Sequence, residues 1–173
     1  MGKASKKLSA EELQSMPEIL SGKREVMKLH KEASMQGSAK AQYELGLLFK
    51  QGFKVSQDYT RAMYWTEKAA SQGLVGAQYE MGWFYYSGCG VKRNYKKALP
   101  WLILAADQGH ARAQCALGMC CFNGWGMESS NSEAIIWFSK SAAQGNQDAI
   151  MMALHLHQIG FFAPRLKSSQ ANQ

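Results

Sequence analysis

The sequence predicts an all-α fold built as an α-solenoid, a stack of two-helix units repeating every 36 residues. Three observations carry this. The dipeptide Ala-Gln recurs at Ala41-Gln42, Ala77-Gln78 and Ala113-Gln114, and the next step of the same length falls on Ala149. Glycines recur in two columns, Gly52, Gly88, Gly124 and Gly160, and Gly37, Gly73, Gly109 and Gly145, giving each unit two places where a helix stops in the left-handed conformation. Large aromatic and small residues recur four apart, Trp65 with Ala69, Trp101 with Ala105 and Trp137 with Ser141, so they share a helical face on which the indoles fill gaps between helices. Units of this kind bury their apolar faces only against neighbouring units.

Each element then follows in order. Residues 1–8, with Lys3, Lys6 and Lys7, read as a basic solvated tail. Residues 9–40 read as an N-terminal cap: Ser9 with Glu12 opens a short helix before Pro17, and a second helix at about 23–36 keeps the repeat register, Leu29 standing one period before Trp65. Three full repeats occupy 41–76, 77–112 and 113–148. Their first helices (helix A) are expected at about 39–51, 75–87 and 111–123, and their second (helix B) at about 59–72, 95–108 and 131–144. Asp58, Asn94 and Ser130 share the column before helix B, and all three accept a hydrogen bond as N-caps; Ser130 with Glu133 forms a capping box. Pro100 interrupts the second helix B, where a lost backbone bond costs about 3 kcal/mol and predicts a local kink. Residues 149–173 hold a terminal helix A, about 147–159, and then FFAPRLKSSQANQ, which drops the period. Its Phe161, Phe162 and Pro164 either fold back as a cap or dock another subunit or a partner.

Composition narrows the function. Hydrophobic residues make up 46% of the chain, enough for a packed core. The net charge of +7 suggests a polyanion partner. Its lysines, however, split between the N-terminal segment and the second connector, while the third repeat carries Glu128, Glu133 and Asp148. A basic nucleic-acid-associated or regulatory protein is therefore the alternative reading, not the first. The N-terminal lysines precede no apolar run, no segment approaches a membrane span, and the opening Met-Gly has Lys6 where myristoylation wants Ser or Thr. A soluble cytoplasmic protein is expected. Cys89, Cys115, Cys120 and Cys121 form no C-x-x-C pair, and reduced thiols fit best.

Catalysis needs a nucleophile, base or metal held within mutual reach, and the inventory is poor. No H-E-x-x-H, G-x-S-x-G, S-x-x-K or phosphate-loop motif appears, and His155 and His157 lie two apart on a helix, pointing in different directions. No catalytic residue, metal site or cofactor is expected. A thiol-dependent enzyme is the remaining reading, and the columns weigh against it: Cys121 shares a core slot with Phe49 and Tyr85, and Cys120 aligns with Leu48 and Phe84. The stretch YYSGCGVKRNYKKA, Tyr85 to Ala98, looks at first like an anion-binding thiol loop. Cys89 nevertheless shares its slot with Phe53 and Trp125, so the site asks for no thiol. What is individual there is a basic patch, Lys92, Arg93, Lys96 and Lys97, standing partly where the other repeats have Ser56-Gln57 and Glu128-Ser129.

The pattern A-x-Y-x-L-G-x-x-Y/F-x-x-G-x-G-V, then an N-cap, then K-A-x-x-W-x-x-K-A-A-x-Q-G, resembles the Sel1-like repeat family, relatives of the tetratricopeptide proteins. Tetratricopeptide units themselves run 34 residues. Departures are local: Lys54 replaces a connector glycine and Cys115 replaces the tyrosine. The resemblance implies a right-handed superhelix and a noncatalytic scaffold or adaptor that binds a partner protein or peptide in its groove. The motif residues are then structural, and function falls to the columns the motif leaves free. On helix A these are Leu47, Trp83, Met119 and His155 and, three residues on, Lys50, Tyr86, Phe122 and Gln158. Residues three apart share a face, so stacked A helices would align them along the concave surface as a partner-binding stripe of types enriched at interface hot spots.

Overall fold

The structure, a computed structural model, describes residues 24–33, 35–53 and 55–158. Every regular element among them is a helix. Residues 24–33 form α1, followed by α2 (Ala39–Gln51), α3 (Tyr59–Ser71), α4 (Val75–Ser87), α5 (Tyr95–Asp107), α6 (Ala111–Asn123), α7 (Asn131–Ala142) and α8 (Gln147–Gln158). The bounds of α2 to α8 differ from the expected ones by two residues at most. The basic tail, the Ser9 cap, Lys54 and the segment with Phe161, Phe162 and Pro164 lie outside the described residues. The chain divides into two units, residues 1–77 and 78–173, and each is described by itself.

In the second unit the polar punctuation works as the columns predict. Asn94 and Ser130 cap α5 and α7, their side chains accepting from Lys97 N at 3.0 Å and Glu133 N at 3.3 Å. Their own backbone N–H groups reach back across the connector, Asn94 to the Tyr85 carbonyl at 2.8 Å and Ser130 to that of Cys121 at 2.7 Å. That bond uses the donor which the second half of a capping box requires. Glu133 instead stands 3.9 Å from the Cys121 thiol. Gly109, at φ +87°, lets the chain reverse after α5 so that His110 N bonds to the Ala105 carbonyl at 3.0 Å, the six-to-one bond of a Schellman turn. Helix α5 runs continuously through Pro100, whose ring is exposed.

Packing refines the aromatic column. Only Trp65 of the three tryptophans is buried; Trp101 and Trp137 are part-exposed. The fully buried column is one residue later, Thr66, Leu102 and Phe138. Each of these meets the glycine of the Leu-Gly or Met-Gly pair on its own repeat's first helix. A methyl group on Gly82 would stand 2.7 Å from the Leu102 side chain, one on Gly118 2.7 Å from the Phe138 ring, and, in the first unit, one on Gly46 2.5 Å from Thr66 Oγ1. Glycine is thus a spacing device within these helices, where its low helical propensity would otherwise disfavour it.

The glutamines of the Ala-Gln pairs are buried and form the second joint. In the second unit Gln144 Nε2 donates to Gln114 Oε1 at 2.8 Å, and Gln114 Nε2 donates to the Ala106 carbonyl at 3.0 Å, which ties α7 to α6 and α6 to α5. Gln108 Nε2 donates likewise to Gln78 Oε1 at 2.6 Å. The first unit repeats the arrangement, Gln72 to Gln42 at 2.7 Å and Gln42 to the Ala33 carbonyl at 3.1 Å. Helix α8 departs from it. Ile150 stands in the glutamine column and Leu154, 53% exposed, in the glycine column. Both line an apolar groove with Ile135, Ala142 and Ala153.

Two substitutions test these joints by urea denaturation. Gly118→Ala gains about 1 kcal/mol of helical propensity but overpacks Phe138 by about 1–3 kcal/mol, so its midpoint is expected to fall. Gln114→Leu removes both bonds of the joint, while the Ala106 carbonyl keeps the Gly109 N–H and the exposed Gln144 amide keeps water, so stability is expected to fall by about 0.5–1.5 kcal/mol per bond lost.

Candidate functional site

Helix α4 carries Tyr79, Trp83 and Tyr86 at spacings of four and three, which align them on one face. Their rings form a continuous row. Tyr79 and Trp83 stack at 6.3 Å between centroids, and Trp83 and Tyr86 at 5.5 Å. The row extends at both ends: His110 stacks on Tyr79 at 4.5 Å, and Tyr86 meets Tyr95 and Trp125 edge to face at 5.5 and 5.8 Å. Tyr95 and Trp125 lie face to face, 5.0 Å apart and 9° from parallel. All six rings are part-exposed.

Local chain geometry places Trp125. Between Gly124 and Gly126, the third connector runs against the start of α5, and a methyl group on Gly126 would stand 2.9 Å from the Tyr95 carbonyl carbon. The close approach brings the Trp125 ring flat onto Tyr95.

The sequence therefore identified two members of this row, Trp83 and Tyr86, and missed Tyr79, Tyr95, His110 and Trp125. The spacing of Tyr79, Trp83 and Tyr86 was the available signal for the first of these. Met119 and Phe122 are part-exposed on α6, one turn apart, and His155 is exposed on α8. Leu47 and Lys50 are part-exposed on α2, in the first unit.

The basic patch adjoins the row. Lys92, Arg93, Lys96 and Lys97 are all exposed, and none forms an ion pair with a described residue. The Lys97 ammonium lies 5.8 Å from the Tyr85 ring centre. Burial pushes the Tyr86 hydroxyl up to about 12, with Cys120, Tyr95 and Cys115 adding to the effect and the nearby Arg93 guanidinium opposing it.

Burial also holds three thiols protonated. It pushes Cys115 up to about 11, with Asp148 contributing, Cys120 to about 12, with Cys121 contributing, and Cys121 to about 11, with Glu133 contributing. A thiol so shifted is a poor nucleophile at neutral pH. Cys89 is part-exposed in its connector, its N–H donating to Ser87 Oγ at 3.3 Å.

Comparison with known proteins matches the Sel1 repeat over residues 39–74, 75–110 and 111–146. The chain belongs to the Sel1 repeat family. Two solved Sel1-type structures are similar to it. One is c5321, described as a protective antigen present in uropathogenic Escherichia coli strains and displaying an SLR fold, 35% identical with a TM-score of 0.74. The other is a Sel1 repeat protein from Oxalobacter formigenes, 33% identical with a TM-score of 0.67. They align with 78% and 72% of this chain, which spans only 29% and 51% of theirs. A comparison with curated proteins gives no match. The chain is thus all-α and solenoid-like, in a family of generally noncatalytic protein-interaction scaffolds. Among the described residues no helix is long and apolar enough to cross a membrane.

His110 links this site to the repeat. As N-cap of α6 its Nδ1 accepts from Ala113 N at 3.2 Å, in the column that holds Ser38 and Asn146. Burial, aided by Arg112 and opposed by Glu80, lowers its pKa from the ordinary 6.5. The unfolded chain therefore takes up this proton first as pH falls. The residue's contribution to stability is complete above 6.5 and lost as pH drops toward the lower folded value. His110→Asn, which retains an N-cap acceptor but cannot titrate, is expected to flatten the stability profile measured by urea denaturation between about pH 7 and pH 5.

Proposed function

We propose that this Sel1 repeat chain is a noncatalytic scaffold that holds a partner protein or peptide on the face formed by its first helices, with Trp83 and Tyr86 at the centre of the contact. The carrying observation is the continuous row of part-exposed rings around those two residues. The repeat joints do not account for it. The core is already supplied by Leu102, Phe138, Leu117, Met81 and the small residues between them, and the bonds between helices are made by glutamine side chains and by the backbone N–H groups of the N-cap residues. Large rings that remain accessible beside a complete core are the type of side chain that carries binding energy at interfaces. Met119, Phe122 and His155 belong to the same proposal as further contact positions in the second unit, while Leu47 and Lys50 are a separate candidate within the first unit.

Affinity capture from the source organism tests this reading. The wild-type chain is expected to retain a specific partner that a folded Trp83→Ala, Tyr86→Ala double variant loses. Circular dichroism and the urea midpoint would establish that the variant keeps its helices. If it retains the same partners at the same yield, the contact lies elsewhere.

A further inference from the structure

We infer that the ring row of α4 and the basic connector beside it form one composite site, and that its ligand is an acidic peptide segment carrying an aromatic side chain. The inference rests on the scaffold reading and specifies the chemistry of the partner.

Two independent features converge. The first is the row itself: Tyr79, Trp83 and Tyr86 run along α4, and Trp125 and Tyr95 close its end with a flat stacked pair. Each ring already contacts another at 5.0–6.3 Å, the range in which stacked and edge-to-face pairs attract. The row is therefore pre-ordered, and an added ring meets side chains that lose little further freedom on binding. Its members remain part-exposed, so their accessible edges and faces are available to a visiting ring.

The second feature is charge. Between residues 78 and 158 there are six Lys and Arg residues, and four of them fall within 92–97. All four are exposed without an ion-pair partner among the described residues. Lys96 and Lys97 occupy the first turn of α5, which contains no acidic residue and where the helix dipole disfavours cations. In contrast, α7 places Glu133 in its first turn. The two features touch: Tyr95 of the row is flanked by Asn94 and Lys96, Arg93 acts electrostatically on Tyr86, and Lys97 lies against the Tyr85 ring. A ligand ring seated by Tyr86 and Trp125 would bring its neighbouring residues to these cations, and carboxylates complement them.

Single-stranded nucleic acid also combines negative charge with flat rings, but it calls for a positive groove that tracks the backbone. Here the positive charge is one cluster at one connector. The rest of the same stretch carries Glu80, Asp107, Glu128, Glu133 and Asp148 against Arg112 and Lys140. A local cluster matches a short acidic segment.

Selection of the full chain against a random peptide display library tests the inference. Enriched peptides are expected to combine an Asp or Glu cluster with a Phe, Tyr or Trp. Synthetic copies are expected to bind more weakly as salt rises. They should lose about tenfold or more in affinity to Lys92→Glu, Arg93→Glu and, separately, to Trp83→Ala. Lys68→Glu, in the first unit, should bind them as the wild type does. The inference is overturned if no peptide is enriched, if the enriched set has no acidic excess, if charge reversal leaves affinity unchanged, or if an oligothymidylate strand binds more tightly and displaces the peptides. Capture that depends on Trp83 with a selected set lacking acidic residues would sink this inference alone. Capture indifferent to Trp83 and Tyr86 would sink the scaffold reading beneath it.

Discussion

Gln144 donates to Gln114, and Gln114 donates in turn to the Ala106 carbonyl, so a single buried side chain ties its own repeat together and fastens it to the one before. Such a primary amide has both a donor and an acceptor to satisfy, and leaving either unmade in a low-dielectric interior is expensive. Apolar contacts would tolerate a helix slid along its axis. The glutamine bonds do not, because they are directional. They act with the glycines of α4 and α6, which bring Leu102 and Phe138 within contact of the opposing backbone. Glycine sets how near the helices come, and glutamine sets where along their length they meet.

This division of labour explains why binding chemistry can differ from repeat to repeat. The joints use backbone groups, small residues and amides, and they leave the outward side chains of α4 and the connectors unconstrained. Position 125 has Cys89 and Phe53 as its counterparts in the other repeats, and at all three the connector closes through the same N-cap bond to the preceding helix. One connector can therefore carry Lys92 and Arg93 and another an indole without disturbing the fold. The row of rings arises where two such free choices, on α4 and on the third connector, come into contact.

Periodicity made the helices legible because each joint recurs at the same place: caps, turn glycines and the Ala-Gln marker all repeat in register. It was less informative about the role of each marker. Gln42, Gln78 and Gln114 marked the period without revealing their bonds, since the partner of each lies on a different helix. The tryptophan column suggested the buried position, yet a shift of one residue around the helix places Leu102 and Phe138 inside and leaves Trp101 and Trp137 at the edge. The candidate site was only partly legible for a related reason. Comparing columns pairs each residue with its equivalents, whereas Tyr86, Tyr95 and Trp125 occupy three different columns and meet only through the fold. Trp125 consequently enters the sequence reading only as the counterpart of Phe53 and Cys89.

Helix α8 keeps the small residue of the Ala-Gln pair as Ala149 but has Ile150 and Leu154 where the other first helices have glutamine and glycine. A repeat array evolves by duplicating segments, and these two positions bias where a copy can be accommodated. A duplicate of residues 111–146 inserted upstream of α8 would bring its own amide and its own glycine, and both of its neighbours would still find their mates. A standard second helix placed directly against α8 would encounter a leucine side chain at the point of closest approach and no amide to receive it. Ile150 and Leu154 thus favour a copy inserted before α8 over a further second helix packed directly on it.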